Sequence, residues 1–224
     1  GSRYGVVVLA DSDIHVAPDY LARVVTALQQ PGVGLVTCLY RGLATDSPWS
    51  RLSALGIDYH FLPSVLAGLR LSLANPCFGS TIALRRETLA AIGGFAAVAD
   101  QLADDYALGA LVRAKGLKIA IPDMVVGHTC PESSFRELLA HDLRWARTIR
   151  LVDPIGHLGS VVTHALPFAL IAGLWHGGVL GFGLIGLALA CRMLVQIQVD
   201  RYLEAAPGRM WLALASSAGC NSFF

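Results

Sequence analysis

The sequence predicts an α/β sheet with flanking helices, followed by a transmembrane helical segment. Three observations carry that expectation. The apolar run Val6-Val7-Val8-Leu9-Ala10 stops at two carboxylates, Asp11 and Asp13, as a buried strand reaching the end of a sheet would. Strand-like and helix-like patterns alternate from there to about residue 157. From Leu158 to Cys191, 34 positions carry no Asp, Glu, Lys or Arg, and crossing a bilayer takes only about 20 apolar residues.

Each element has its own signal. After the opening strand, Pro18 suits the first turn of a helix. Leu21, Val24, Val25 and Leu28 recur at i, i+3, i+4 and i+7, and Pro31-Gly32 ends that helix. Val33 to Leu39 reads as a second strand, and strand, helix and strand in such a short span predict a βαβ unit with parallel strands. Ser47 caps a helix with Pro48 at its first position; it runs to about Leu71 with a break at Pro63. Cys77-Phe78-Gly79-Ser80 is a loop before a short strand, Thr81 to Leu84. Arg86 to Ile92 is a short helix closed by Gly93-Gly94. Ala103-Asp104-Asp105-Tyr106 opens a helix that Gly116 stops, and Lys118 to Ile121 is one more strand. Ser134-Phe135-Arg136-Glu137 matches a capping box, so a helix starts near Phe135.

Composition narrows the function class. At 54% hydrophobic and a mean hydropathy of +0.57, the 224-residue chain is too apolar for an ordinary soluble domain. A net charge of +1 gives no argument for a nucleic-acid partner. The five cysteines, Cys38, Cys77, Cys130, Cys191 and Cys220, form no C-x-x-C pair. That excludes a disulfide framework and a zinc module and fits a reducing cytosolic setting.

As one helix the charge-free run would measure about 51 Å, well over the ~30 Å hydrocarbon core. Trp175-His176-Gly177-Gly178 marks a break, so the expectation is a helical hairpin over 158–175 and 178–199, with 200–224 unassigned. Arg144, Arg147 and Arg150 precede it; Arg192, snorkelling near one face, and Arg201 lie at its far end. Positive charge on both flanks puts both ends, and the domain before them, on the cytoplasmic side of the membrane. The first span is short, which leaves open one tilted span plus an interfacial segment. Gly181-Phe182-Gly183-Leu184-Ile185-Gly186 matches G-x-G-x-x-G literally, but it lies inside the apolar run with no βαβ context. Close packing between helices explains these glycines better.

Alternate strand residues share a face, so Asp11 and Asp13 can offer two hard oxygen ligands to Mg²⁺ or Mn²⁺, and that ion could grip a diphosphate. A strand-to-helix turn with Asp13 as its cap is the alternative. Asp104 and Asp105 in a first turn complement the helix dipole and need no chemistry to explain them. On the later helix His141, Arg144 and Trp145 stand at i, i+3 and i+4 and share one face. A surface helix can carry them without function. An Arg beside a Trp is also a fit partner for a phosphate and a sugar ring.

Three pieces line up in order: Asp11-Ser12-Asp13, Ala103-Asp104-Asp105-Tyr106, and His141-Asp142-Leu143-Arg144-Trp145 before an apolar segment. Together they resemble the membrane-bound inverting glycosyltransferases of the ceramide glucosyltransferase type, and within them the bacterial enzymes associated with hopanoid biosynthesis. The similarity extends through Cys77 to Arg86 and Gly93-Gly94-Phe95 and covers roughly residues 4 to 200. The resemblance implies a GT-A fold over residues 1–157, a UDP-sugar donor, a divalent metal (Mg²⁺ or Mn²⁺) and a membrane lipid acceptor. It implies that Asp11 and Asp13 hold the metal and diphosphate, although the family varies at Asp13. It makes Asp105 the catalytic base, with Arg144 and Trp145 near the diphosphate and acceptor. Asp104, where the family often has Glu, joins His141, Phe78 and Gly79 as substrate-binding. His141 departs from the usual Gln or Arg.

The family also has an upstream βα region that holds the uridine. This sequence opens on the metal-motif strand, so the expectation is a fragment of a longer enzyme. The activity implied is transfer of a hexose, of glucose or N-acetylglucosamine type, to a lipid hydroxyl. A processive polysaccharide synthase shares these motifs, and an inactive membrane-anchored remnant is the reading from another class.

Overall fold

A computed structural model describes residues 3–204. In chain order the elements are β1 (Val6–Leu9), β2 (Ile14–His15), α1 (Tyr20–Leu28), β3 (Val33–Thr37), β4 (Leu39–Ala44), α2 (Pro48–Gly56), a π-helical turn (Ile57–Phe61) and α3 (Leu62–Arg70). Then come β5 (Ile82–Arg85), α4 (Arg86–Ala91), α5 (Asp104–Ala114), β6 (Lys118–Ala120) and β7 (Val125–Cys130). The chain continues as α6 (Phe135–Val152), α7 (Pro154–Gly159), α8 (Ala165–His176) and α9 (Gly178–Tyr202). Two compact units result, Gly1–Arg41 with Leu69–Thr129, and Gly42–Gly68 with Cys130 onward. Of the unassigned stretch 200–224, the part from residue 205 on lies outside the described residues.

The first unit is built on a four-stranded sheet in the order β1-β5-β3-β6. β5 is antiparallel to both β1 and β3, and β3 is parallel to β6. This corrects the βαβ expectation. β1 and β3 run the same way, but they do not pair, because β5 is inserted between them. Apolar runs report burial and say nothing about which strand lies next door. Leu35, Ile82, Leu84, Leu108 and Val112 form the core against the sheet. α1 buries Tyr20, Val24 and Leu28 and leaves Leu21 exposed, so its inner face is one residue off the predicted one. Its first turn starts after Pro18, with Asp19 as the flanking residue. Gly93 and Gly94 close α4 and Gly116 closes α5, each at a positive φ that a side chain would disfavour.

A second sheet, β2-β7-β4, was not legible. Ile14 and His15 pair antiparallel with His128 and Gly127. The chain passes from one unit to the other within β4, near the end of α3 and within β7.

In the second unit, Ser47 caps α2 as expected, its Oγ accepting from the Trp49 N–H at 3.1 Å, with Pro48 in the first turn. The break expected at Pro63 is a π-helical turn just before it. Pro63 has no N–H to offer the preceding turn, and a wider turn absorbs the missing bond without stopping the helix. At the start of α6, Ser134 Oγ accepts from Glu137 N at 3.3 Å. The return bond comes from Ser133 N to Glu137 Oε2 at 2.7 Å, one residue earlier than a capping box places it.

The hairpin break falls at Gly177 and Gly178, with φ +60 and +61. Gly181 packs as expected: a Cβ there would collide with the Gly173 carbonyl oxygen, and one on Gly173 would stand 2.6 Å from Ile185 Cδ1. Gly183 and Gly186 face open space, so the packing role belongs to Gly173 and Gly181. The first arm is not one helix. Pro154–Thr163 and Ala165–His176 are bent by 53° and reach spanning length only together. Pro167 is the cause: without an N–H it cannot continue the ladder from the turn before α8. Gly178–Tyr202 is long and apolar enough to cross a bilayer by itself, and so is Pro48–Arg70, which the sequence reading did not single out. Trp175 and Val179 at the hairpin tip are 85% and 93% exposed, a surface suited to lipid.

Candidate active site

In the first unit the chain leaves β1 and turns at once, Ile14 N donating to the Asp11 carbonyl at 3.3 Å. Pairing of β2 with β7 brings Asp13 beside His128, Oδ1 to Nδ1 3.6 Å, and the Thr129 amide donates to the Asp13 carbonyl. Asp13 Oδ1 is buried with no hydrogen bond. Burial pushes the Asp11 carboxyl above its ordinary range, and the neighbouring charges of Asp13 and Asp104 add to the push, against an opposing effect from His128.

The Cys77-Phe78-Gly79-Ser80 loop lies against these acids. Thr37 Oγ1 both donates to the Phe78 carbonyl (3.1 Å) and accepts from the Phe78 amide (2.9 Å). Ser80 Oγ donates to the Cys38 carbonyl, and the Phe78 ring meets Tyr40 edge-on at 5.7 Å. The Gly79 amide donates to Asp105 Oδ2 at 3.0 Å, and a Cβ on Gly79 would stand 3.0 Å from Asp11 Oδ2. Gly79 is thus the narrow wall between the two carboxylates. Asp105 Oδ1 accepts from the Tyr106 amide at 2.7 Å. Burial holds the Asp105 carboxyl above its ordinary range, against the lowering effect of these two amides; Asp104 and Asp11 raise it further. Asp104 Oδ1 accepts from the Asp105 amide at 2.9 Å.

No group of three or more His, Cys, Asp or Glu among the described residues is arranged to hold a metal by itself. The donor set present is Asp11 and Asp13, two carboxylates with one buried oxygen in no hydrogen bond. That suits an ion of the Mg²⁺ or Mn²⁺ kind, which takes one or two protein carboxylates and fills its shell with water and substrate phosphate.

In the second unit α6 carries the other predicted residues. His141 and Trp145 share a face, their rings edge-on at 5.2 Å, and Trp145 also meets Phe61 at 5.8 Å. Arg144 lies on the same helix, exposed. His141 Nδ1 pairs with Oε1 of the buried Glu132. Burial pushes Glu132 upward, but the His141 bond and charge outweigh it and leave the carboxyl below its ordinary value. Burial raises the Asp142 carboxyl.

The structure therefore gathers Asp11, Asp13, Asp104, Asp105, Phe78 and Gly79 in one unit, and His141, Arg144 and Trp145 on one helix in the other. Sequence reasoning missed His128 and Glu132. His128 sits in a strand that was not recognised. Glu132 precedes the α6 cap, and no spacing rule connects a loop carboxylate with a residue two turns into the next helix.

Carboxylates gather at the end of β1 and the start of α5, in a chain that continues into helices long and apolar enough to cross a bilayer, which fits a membrane protein. The chain belongs to glycosyl transferase family 21, the ceramide glucosyltransferase family, whose model matches residues 1–217. No curated protein matches it. Among solved structures, the mannosyltransferase PcManGT from Pyrobaculum calidifontis, in complex with GDP-Man and Mn²⁺, is similar at 24% identity and a TM-score of 0.48. The match covers 98% of this chain and 62% of that one, so the chain spans less than two thirds of that protein.

Proposed function

We propose that the chain carries the catalytic acids and membrane segment of an inverting glycosyltransferase. It would move a hexose from a UDP-sugar to a lipid hydroxyl at the cytoplasmic membrane face. The observation that carries this reading is the placement of Asp11 and Asp105 on either side of Gly79. In this reading one carboxylate serves the diphosphate, and a second, with its affinity for protons raised, stands one residue's width away.

In this reading Asp105 accepts the proton of the acceptor hydroxyl as that oxygen attacks the anomeric carbon. Its raised pKa strengthens it as a base. The Gly79 and Tyr106 amides fix its orientation. Asp11 and Asp13 would hold a divalent ion, which when bound supplies positive charge against the diphosphate. The family resemblance gives Arg144 the role of stabilising the negative charge that grows on the leaving group, and Trp145 that of offering a face to the sugar or acceptor. A single displacement inverts the anomeric centre, so an α-linked donor yields a β-linked product.

Incubating the protein in membranes with UDP-glucose, UDP-N-acetylglucosamine or GDP-mannose, and reading lipid products by mass spectrometry, tests this. A β-linked glycolipid from a UDP-sugar is expected. Sugar on soluble polymer instead of lipid would replace this reading with the processive one.

A further inference from the structure

The second unit holds a polar line that the reaction does not use. Arg192, Gln196 and Asp200 recur at i, i+4 and i+8 on one face of α9. The π-helical turn packs against that face: Tyr59 donates to Asp200 Oδ1, and Leu55, Tyr59 and Val199 form a small core. The charge of Arg192 reaches His60 on the same turn, and His60 stacks on the buried His164 at 4.8 Å. Midway along sits Gln196, 1% exposed, with neither its amide nitrogen nor its amide oxygen in a hydrogen bond.

A buried primary amide without hydrogen bonds is costly, because it has given up water and gained nothing in return. Inside a helix long and apolar enough to cross a bilayer, polar side chains are kept for ligands, ions or protons. The amide asks for one donor and one acceptor together, and a hydroxyl is the smallest group that is both. π-Helical turns also concentrate at functional sites. We infer that Gln196, between Arg192 and Asp200 and facing the π-helical turn, receives the hydroxyl-bearing headgroup of a lipid entering from the bilayer. As a substrate subsite this rests on the lipid-acceptor reading; as a binding site it stands alone.

The test uses the full chain in nanodiscs without sugar donor. The probes are a photoactivatable long-chain alcohol and the same chain with hydrogen in place of the hydroxyl. The alcohol should label peptides carrying His60 or Gln196, and Gln196→Met should cut that labelling about tenfold, the equivalent of one lost hydrogen-bonded anchor. The hydroxyl-free probe should label both proteins alike. Gln196→Met keeps the side chain's size and removes the unmatched amide, so it should unfold at the same temperature as the wild type or higher. Equal labelling of wild type and Gln196→Met by the alcohol would overturn the inference and leave a bound water as the partner of Gln196. So would a destabilised Gln196→Met that labels normally, since the amide would then be structural. Labelling without sugar transfer would sink the proposed reaction and keep this site; transfer with uniform labelling would do the reverse.

Discussion

The Gly79 amide donates to Asp105 Oδ2 at 3.0 Å, and the space where Gly79 lacks a side chain opens onto Asp11. A methyl there would stand 3.0 Å from Asp11 Oδ2, tight enough that the carboxylate must move by a few tenths of an ångström. Gly79→Ala should therefore keep its fold and lose about tenfold or more in transfer rate, since small displacements at a reacting centre are expensive. Unchanged rate would remove Gly79 from the site.

Asp105→Asn should cost about 10² to 10⁴ in rate, as loss of a general base does. It should also cost stability. Both carboxylate oxygens accept from backbone amides, and an asparagine turns one of those contacts into donor facing donor. A loss of about 1–3 kcal/mol in thermal or urea unfolding is expected. Asp104→Asn should change both less, because among the described residues Asp104 accepts from one amide, that of the next residue. If Asp104→Asn is the worse variant in the transfer assay, the base is Asp104.

Arg144 and Arg147 are both exposed on α6. If Arg144 forks onto a diphosphate, Arg144→Lys loses most activity although the charge is kept, because an ammonium cannot hold two phosphate oxygens in the same way. Arg147→Lys should be nearly silent. If both merely anchor the helix to anionic headgroups, worth about 1 kcal/mol each, the two variants behave alike. Side-by-side assays in one membrane preparation decide between these.

The Glu132–His141 pair predicts a pH effect on stability. The Glu132 carboxyl is held below its ordinary value of 4.5 in the folded protein. Its contribution is present above that value and is lost as pH falls through the folded value. Thermal midpoints should drop in that acid window for the wild type. Glu132→Gln should be less stable at neutral pH and flatter across the window. Parallel curves for the two proteins would show that the pair contributes nothing.

Reporter fusions after Arg150 and after Arg201 test the topology. Basic flanks predict a cytoplasmic signal from both. α8 alone covers about 18 Å, too short for the ~30 Å core, so a cytoplasmic signal from both requires the bent α7–α8 arm to complete the first crossing. Opposite signals would mean that α9 crosses alone and that the arm before it lies in the interface.

The legible features were those whose cause is local. Ser47 and Ser134 announced helix starts, because a cap is a bond between near neighbours. Asp11, Asp13 and Asp105 stood out as acids at element ends, and the structure brings their elements together. The illegible features were made by distant partners. Nothing in Ile82 to Arg85 says that it separates β1 from β3, and nothing near Asp13 says that His128 will face it. Pro167 is different: its effect is local, but the apolar pattern continues unbroken on both sides of it and carries no mark of the kink.

The insertion of β5 sets a schedule for synthesis on the ribosome. Among the described residues β5 is the strand paired with β1, and that ladder cannot form until Ile82–Arg85 has emerged. For that interval the edge of Val6–Leu9 that pairs with β5 is open, the kind of edge that recruits wrong partners. A nascent chain stalled before Ile82 should therefore be the species that chaperones hold and that aggregates when they are withdrawn, whereas one stalled well past Arg85 should resist both.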